Sequence, residues 1–162
     1  MKTILCIDDD AWILDTLHEA LAPRGYRVLI TTSTRAAVPS LKYTKVDLVL
    51  LDLNMPRQNG LALFRELEAT APVPVLFVTG CSRSFTTQAE SFRKEYEQEL
   101  KLAHTDVLAK PFTLAQLYEK VEAMIGTPDF MPSDETPPGE AQSLLKRLLH
   151  GWSRMAGSTE KN

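Results

Sequence analysis

Five polar residues stand where apolar runs break off, and their types suggest joint chemistry. Asp8 and Asp9 follow the run 3–7, Asp52 follows 48–51, Thr79 follows 75–78, and Lys110 follows 106–109. Carboxylates held close repel and push one another's pKa upward, so such a cluster is tolerable mainly with a cation in it. Oxygen-only ligation with no paired His or Cys favours Mg²⁺, or Mn²⁺ in its place. Mg²⁺ uses one or two carboxylates, waters and phosphate oxygens, so the site anticipates a phosphate. With Asp52 as nucleophile, attack on a phosphoryl donor gives an aspartyl-phosphate, stabilised by the metal and Lys110 while Thr79 donates a hydrogen bond. No water-activating base stands out, which suggests a stored phosphoryl group more than rapid turnover. Lys110 then pairs with the phosphoryl group rather than with the core, and its loss is expected to leave the fold largely intact.

These residues need a scaffold that delivers them to one edge. Residues 48–51 are continuously apolar rather than alternating, the pattern of a central parallel strand covered on both faces. The turn signals Met55-Pro56 and Asn59-Gly60, then helical spacing from Leu61 to Leu67, favour strand over buried helix. Further strands are expected at 3–7, 26–30, 75–78 and 106–109. Between them fall a helix carrying Ile13, Leu14, Leu17 and Leu21, with Asp10 as a first-turn acid, ended by Pro23 and Gly25. A weak helix at 34–41 has Thr34 as its cap and is shortened or broken by Pro39. A long amphipathic helix is expected at 84–103, and a last one is capped by Thr113 and closed by Gly126. Five β-α alternations imply an α/β three-layer sandwich with a five-stranded parallel sheet of flavodoxin-like order 2-1-3-4-5. In that order the first and third strands are neighbours, so Asp8, Asp9 and Asp52 meet at the switch point, with Thr79 and Lys110 arriving from strands four and five.

This set resembles a response-regulator receiver domain of two-component signalling, over about residues 2–125. The matching residues are Asp8-Asp9, Asp52 with Met55-Pro56 and Asn59-Gly60, Thr79, and Lys110-Pro111-Phe112. The resemblance implies that Asp52 is the phosphoacceptor, taking phosphate from a sensor histidine kinase or a phosphotransfer protein. It also implies that Asp9, Asp52 and the backbone carbonyl of Asn54 hold Mg²⁺, that Asp8 helps through water, and that the Lys110–Pro111 peptide is cis. The chain departs from the family at three places. Val107 stands where an aromatic residue often rotates on activation, the segment between Thr79 and Lys110 is several residues longer than usual, and Ala103-His104-Thr105 replaces the usual Gly-Ala turn.

The chain has 162 residues, 44% hydrophobic and 24% charged, with a net charge of −3, a composition of one globular core and no broad basic field for nucleic acid. Cys6 and Cys81 have neither metal-ligand nor disulfide spacing, and the N-terminal apolar run is too short to export or anchor, so the expected setting is the cytoplasm. Cys6 reads as core and Cys81 lies near the site mouth. His18, His104 and His150 lie far apart and are expected to be neither catalytic nor ligands. The receiver is expected at 1–126, a proline-rich acidic linker at 127–142, an amphipathic helix at 143–155 and a disordered tail at 156–162. In that helix Leu144, Leu145, Leu148, Leu149, Trp152 and Met155 share a face that needs cover from its own receiver, another protein or a membrane, with protein favoured. Only 22 residues follow Glu140, so no DNA-binding domain is expected and output would pass to an unknown protein effector. Two other readings are a haloacid-dehalogenase-like phosphatase and an unphosphorylated scaffold. The first normally needs a second acid two residues beyond its nucleophile, where this chain has Asn54.

Overall fold

The computed structural model describes residues 1–55, 60–70, 72–80 and 104–128, together with 143, 144, 146, 147 and 150. The expected helix at 84–103, the turn at 56–59, Cys81, most of the linker and the tail at 156–162 lie outside the described residues. Five parallel strands form one sheet: β1 (Thr3–Ile7), β2 (Arg27–Thr31), β3 (Leu48–Leu51), β4 (Val75–Gly80) and β5 (Thr105–Lys110). Their order is β2-β1-β3-β4-β5, the flavodoxin-like arrangement. The described helices are α1 (Ala11–Leu21), α2 (Thr34–Tyr43), α3 (Gly60–Thr70) and α4 (Leu114–Ile125). Among the described residues no helix is long and apolar enough to cross a membrane.

Every residue of β1 and β3 is buried, as a strand covered on both faces requires. Alternate side chains divide them between two cores. Ile4, Cys6, Leu48, Leu50, Leu76 and Val78 pack with α1 and α4, whereas Leu5, Ile7, Val49, Leu51, Val75 and Phe77 pack with α2 and α3. On the second face Phe64 meets Phe77 edge to face, centroids 5.0 Å apart, a geometry worth about 0.5–1.5 kcal/mol beyond its buried area.

Several boundaries differ from the sequence pattern for identifiable reasons. Asp10 lies just outside α1, where its carboxylate accepts the Trp12 N–H at 2.9 Å, so it caps the helix rather than lying in its first turn. Ser33, not Thr34, holds the cap position of α2 and makes no side-chain cap bond. That helix continues to Tyr43 through Pro39. Pro39 and Arg35, whose carbonyl loses its helical donor there, are both exposed. β2 starts at Arg27, one residue later than the pattern, and Tyr26 is core. β4 and β5 run on through polar residues because Thr79 pairs with Ala109 and Gly80 with Lys110.

α4 starts with a capping box between Thr113 and Gln116 and closes at Gly126, whose φ of 72° suits glycine. Lys2 Nζ donates to the carbonyls of Ile125 and Thr127, joining the start of β1 to the end of α4. The Lys110–Pro111 peptide is cis.

Candidate functional site

Adjacency of β1 and β3 puts Ile7 beside Leu51, so the next residues of both strands, Asp8 and Asp52, emerge together. The Asp52 N–H donates to the Ile7 carbonyl at 2.9 Å and holds that register one residue beyond the strands. Lys110, last residue of β5, brings its Nζ to 2.7 Å from Asp8 Oδ2 and 3.0 Å from Asp52 Oδ2. All three side chains are almost fully buried. The second oxygen of each carboxylate accepts a backbone N–H: Asp10 N on Asp8 Oδ1 and Asn54 N on Asp52 Oδ1, both at 2.9 Å. Asp9 is exposed, and its carboxylate completes a trio whose oxygens lie within 4.8 Å of one another.

Burial pushes the Asp8 carboxyl up to about 6, with Lys110 opposing and the Asp52 charge adding to the rise. Asp9 is raised for the same reasons, burial first and Asp52 second. Burial works to lower the Lys110 ammonium, but its charge and hydrogen-bond interactions with Asp8 and Asp52 prevail, and it remains a cation. The site thus carries three acids against one resident ammonium. Its donors are all oxygen, the type a hard divalent cation takes, so the cluster can hold a metal.

Lys110 is therefore more than a partner for a phosphoryl group, the role that the sequence suggested. It is 3% exposed and neutralises two buried carboxylates. Removing one partner from such a group leaves uncompensated buried charge, which argues that its loss costs stability.

Thr79 lies at the end of β4 and is buried. Asn54 Nδ2 donates to Thr79 Oγ1 at 3.0 Å and to the Gly80 carbonyl at 2.6 Å. Sequence reasoning weighed Asn54 for its backbone carbonyl and as the place of a missing second acid, and missed these contacts of its side-chain amide. The available signal was an amide two residues beyond the strand-end acid, facing a Thr-Gly strand end.

Gly60 was legible as a turn residue, but its role is closer to the site. A Cβ there would lie 2.7 Å from the Asp52 carbonyl oxygen and 2.9 Å from Leu53 Cα, so only glycine lets α3 start against the backbone of Asp52. Cys6 is a buried free thiol that burial, and then Asp8, push far above the ordinary thiol range. His18, His104 and His150 are exposed and stand outside the acidic trio.

A family profile described as a response regulator receiver domain matches residues 4–122. The chain belongs to that family. The chain is 29% identical over 144 residues to the transcriptional regulatory protein CpxR of Klebsiella pneumoniae, covering 89% of this chain and 58% of that protein. It is 31% identical over 147 residues to the phosphate regulon transcriptional regulatory protein PhoB of Pseudomonas aeruginosa, covering 89% and 59%. The chain thus spans a little over half the length of these curated relatives. Among solved structures, the chemotaxis protein CheY4 of Vibrio cholerae shares the fold with a TM-score of 0.63 at 23% identity, over 76% of this chain and 98% of that one. A CheY-like receiver domain protein from Methanospirillum hungatei gives a TM-score of 0.62 at 25% identity, over 77% and 94%.

Proposed function

We propose that this receiver accepts a phosphoryl group on Asp52 from a histidine kinase or a phosphotransfer protein and signals through protein contact. The observation that carries the reading is Lys110 Nζ bridging Asp8 and Asp52 inside a trio of close carboxylates. In the transfer an Asp52 carboxylate oxygen forms a new O–P bond with its lone pair. The P–N bond of a phosphohistidine protonated on its other ring nitrogen, or the P–O bond of acetyl phosphate, breaks with its electrons going to the leaving group, which departs as neutral imidazole or as acetate. Lys110, already turned toward Asp52, balances charge on the transferred group. The Asn54 amide donates into the Thr79 oxygen and leaves the hydroxyl proton free for a phosphoryl oxygen.

Asp8, Asp9, Asp52 and the Asn54 backbone carbonyl are the residues assigned to Mg²⁺. When bound, the ion would supply charge neutralisation for the phosphoryl oxygens. The free buried Cys6 suits a reducing compartment, and we assign the chain to the cytoplasm.

Two observations weigh against a phosphatase. Asn54 occupies the place of the second acid, and its amide is engaged by Thr79 and Gly80. The test is intact-mass spectrometry after incubation with acetyl phosphate and Mg²⁺, beside phosphate release from a general phosphomonoester. One alkali-labile phosphoryl group, absent in Asp52→Asn, with no steady release, is the expected result. An adduct that survives Asp52→Asn, or sustained phosphomonoester turnover, overturns the reading.

A further inference from the structure

The C-terminal segment has a partner within its own chain. Residues 143, 144, 146, 147 and 150 have helical backbone. Leu144 is 7% exposed and joins the core formed by α1, α4 and one sheet face. Arg147 pairs with Glu19 of α1, and its guanidinium lies 5.8 Å from the centroid of the Trp12 ring. Trp12 and Glu19 are two helical turns apart and so share one side of α1. Leu148 and Trp152 continue the four-residue spacing of Leu144 in the sequence.

This contact lies next to the acidic pocket. Through their backbone N–H groups Trp12 donates to the Asp10 carboxylate and Asp10 to the Asp8 carboxylate, so the backbone at the start of α1, which carries the Trp12 side chain, is tied to the carboxylate cluster. We propose that the segment carrying Leu144 and Arg147 occupies the α1 face and screens the pocket rim from a protein phosphodonor, while a small donor still reaches Asp52. The proposal rests on the reading of Asp52 as phosphoacceptor. A protein that delivers a phosphoryl group must press a surface against the rim, and Trp12 is the kind of aromatic anchor that such contacts use. Arg147 covers that ring. The Arg147–Glu19 pair is partly exposed at 34% and 47%, and pairs of that kind, like exposed cation–π contacts, are weak. A competing protein surface can therefore displace the segment.

The test uses the full chain and three variants: Glu19→Arg, Arg147→Glu and the double exchange. Amide exchange at 144–147 should quicken about tenfold in each single variant and slow again in the double. Equal exchange in all four chains overturns the docking. Phosphorylation is then followed with acetyl phosphate and with a phosphorylated histidine-phosphotransfer protein. The acetyl phosphate rate should be the same in every chain, and the protein donor should act about tenfold faster on the single variants. Equal rates from the protein donor on all chains, including no transfer to any, overturn the screening. Absence of any acetyl phosphate adduct on Asp52 would instead remove the phosphoacceptor reading and leave the docking result standing.

Discussion

The Nζ of Lys110 lies 2.7 Å from Asp8 Oδ2, and both side chains are 3% exposed. A pair removed from water in this way is costly to break from one side. Lys110→Ala should destabilise the metal-free protein by about 3 kcal/mol at pH 7, and Mg²⁺ should restore part of that loss. Urea unfolding with and without Mg²⁺ checks this. A variant within about 0.5 kcal/mol of the parent, against the ~3 kcal/mol expected of a broken buried pair, would contradict it.

Stability of the metal-free protein should carry the mark of Asp8. Its carboxyl holds a proton up to about 6 in the folded chain, against an ordinary value of 3.8. Between those two values the native state binds more protons than the unfolded one, so stability falls as pH rises. The contribution is fully present below the unfolded value and is lost as pH passes the folded one. Its size is on the order of 3 kcal/mol, and Asp9 acts in the same direction. Unfolding free energies across this window, compared with Asp8→Asn, isolate the group. The variant should make the downward slope shallower, and parallel curves would rule the effect out. Protons also compete with Mg²⁺ there, so metal affinity should weaken below about pH 6.

Asn54 positions Thr79 through its amide donor. Loss of that bond in Asn54→Ala should cost about 1 kcal/mol of stability and slow phosphorylation by acetyl phosphate about fivefold. Asn54→Asp should be slower still, because a carboxylate takes the Thr79 proton that the reaction needs. Initial rates by mass spectrometry decide it, and a variant as fast as the parent would leave Thr79 without that support.

Gly60→Ala puts a methyl against the Asp52 carbonyl and the Leu53 backbone, neither of which is a flexible side-chain end. A cost of about 1–3 kcal/mol in thermal or urea unfolding is expected, with weaker Mg²⁺ binding as Asp52 shifts. Unchanged stability and affinity would mean that α3 moves away at no cost.

The fold was legible where one residue type dominates a run. β1 and β3 are unbroken apolar segments, and acids at their ends announce both strand end and site. β4 and β5 extend further than the pattern because Thr79 and Lys110 are polar residues inside a ladder. A strand reading based on hydrophobicity stops before them. The Asn54 amide bonds depend on Gly80, a strand end that lies remote in sequence until the sheet assembles. The ion pairs of Lys110 with two buried acids needed three strand ends at once, so the spacing suggested proximity but not that the lysine neutralises the cluster. Helical period singled out Leu144 and Arg147, but their contacts within the chain were not legible, since Glu19 and Trp12 are unremarkable until α1 is placed.

The central claim is a phosphoryl group bonded to the Asp52 carboxylate. Borohydride reduces an acyl phosphate to an alcohol, so treatment of the Mg²⁺ and acetyl phosphate reaction followed by tandem mass spectrometry reads the modified position directly. The account predicts homoserine at position 52 and intact aspartates at 8 and 9. Reduction at Asp8 or Asp9, or no reduced residue in protein that carries phosphate, would contradict it.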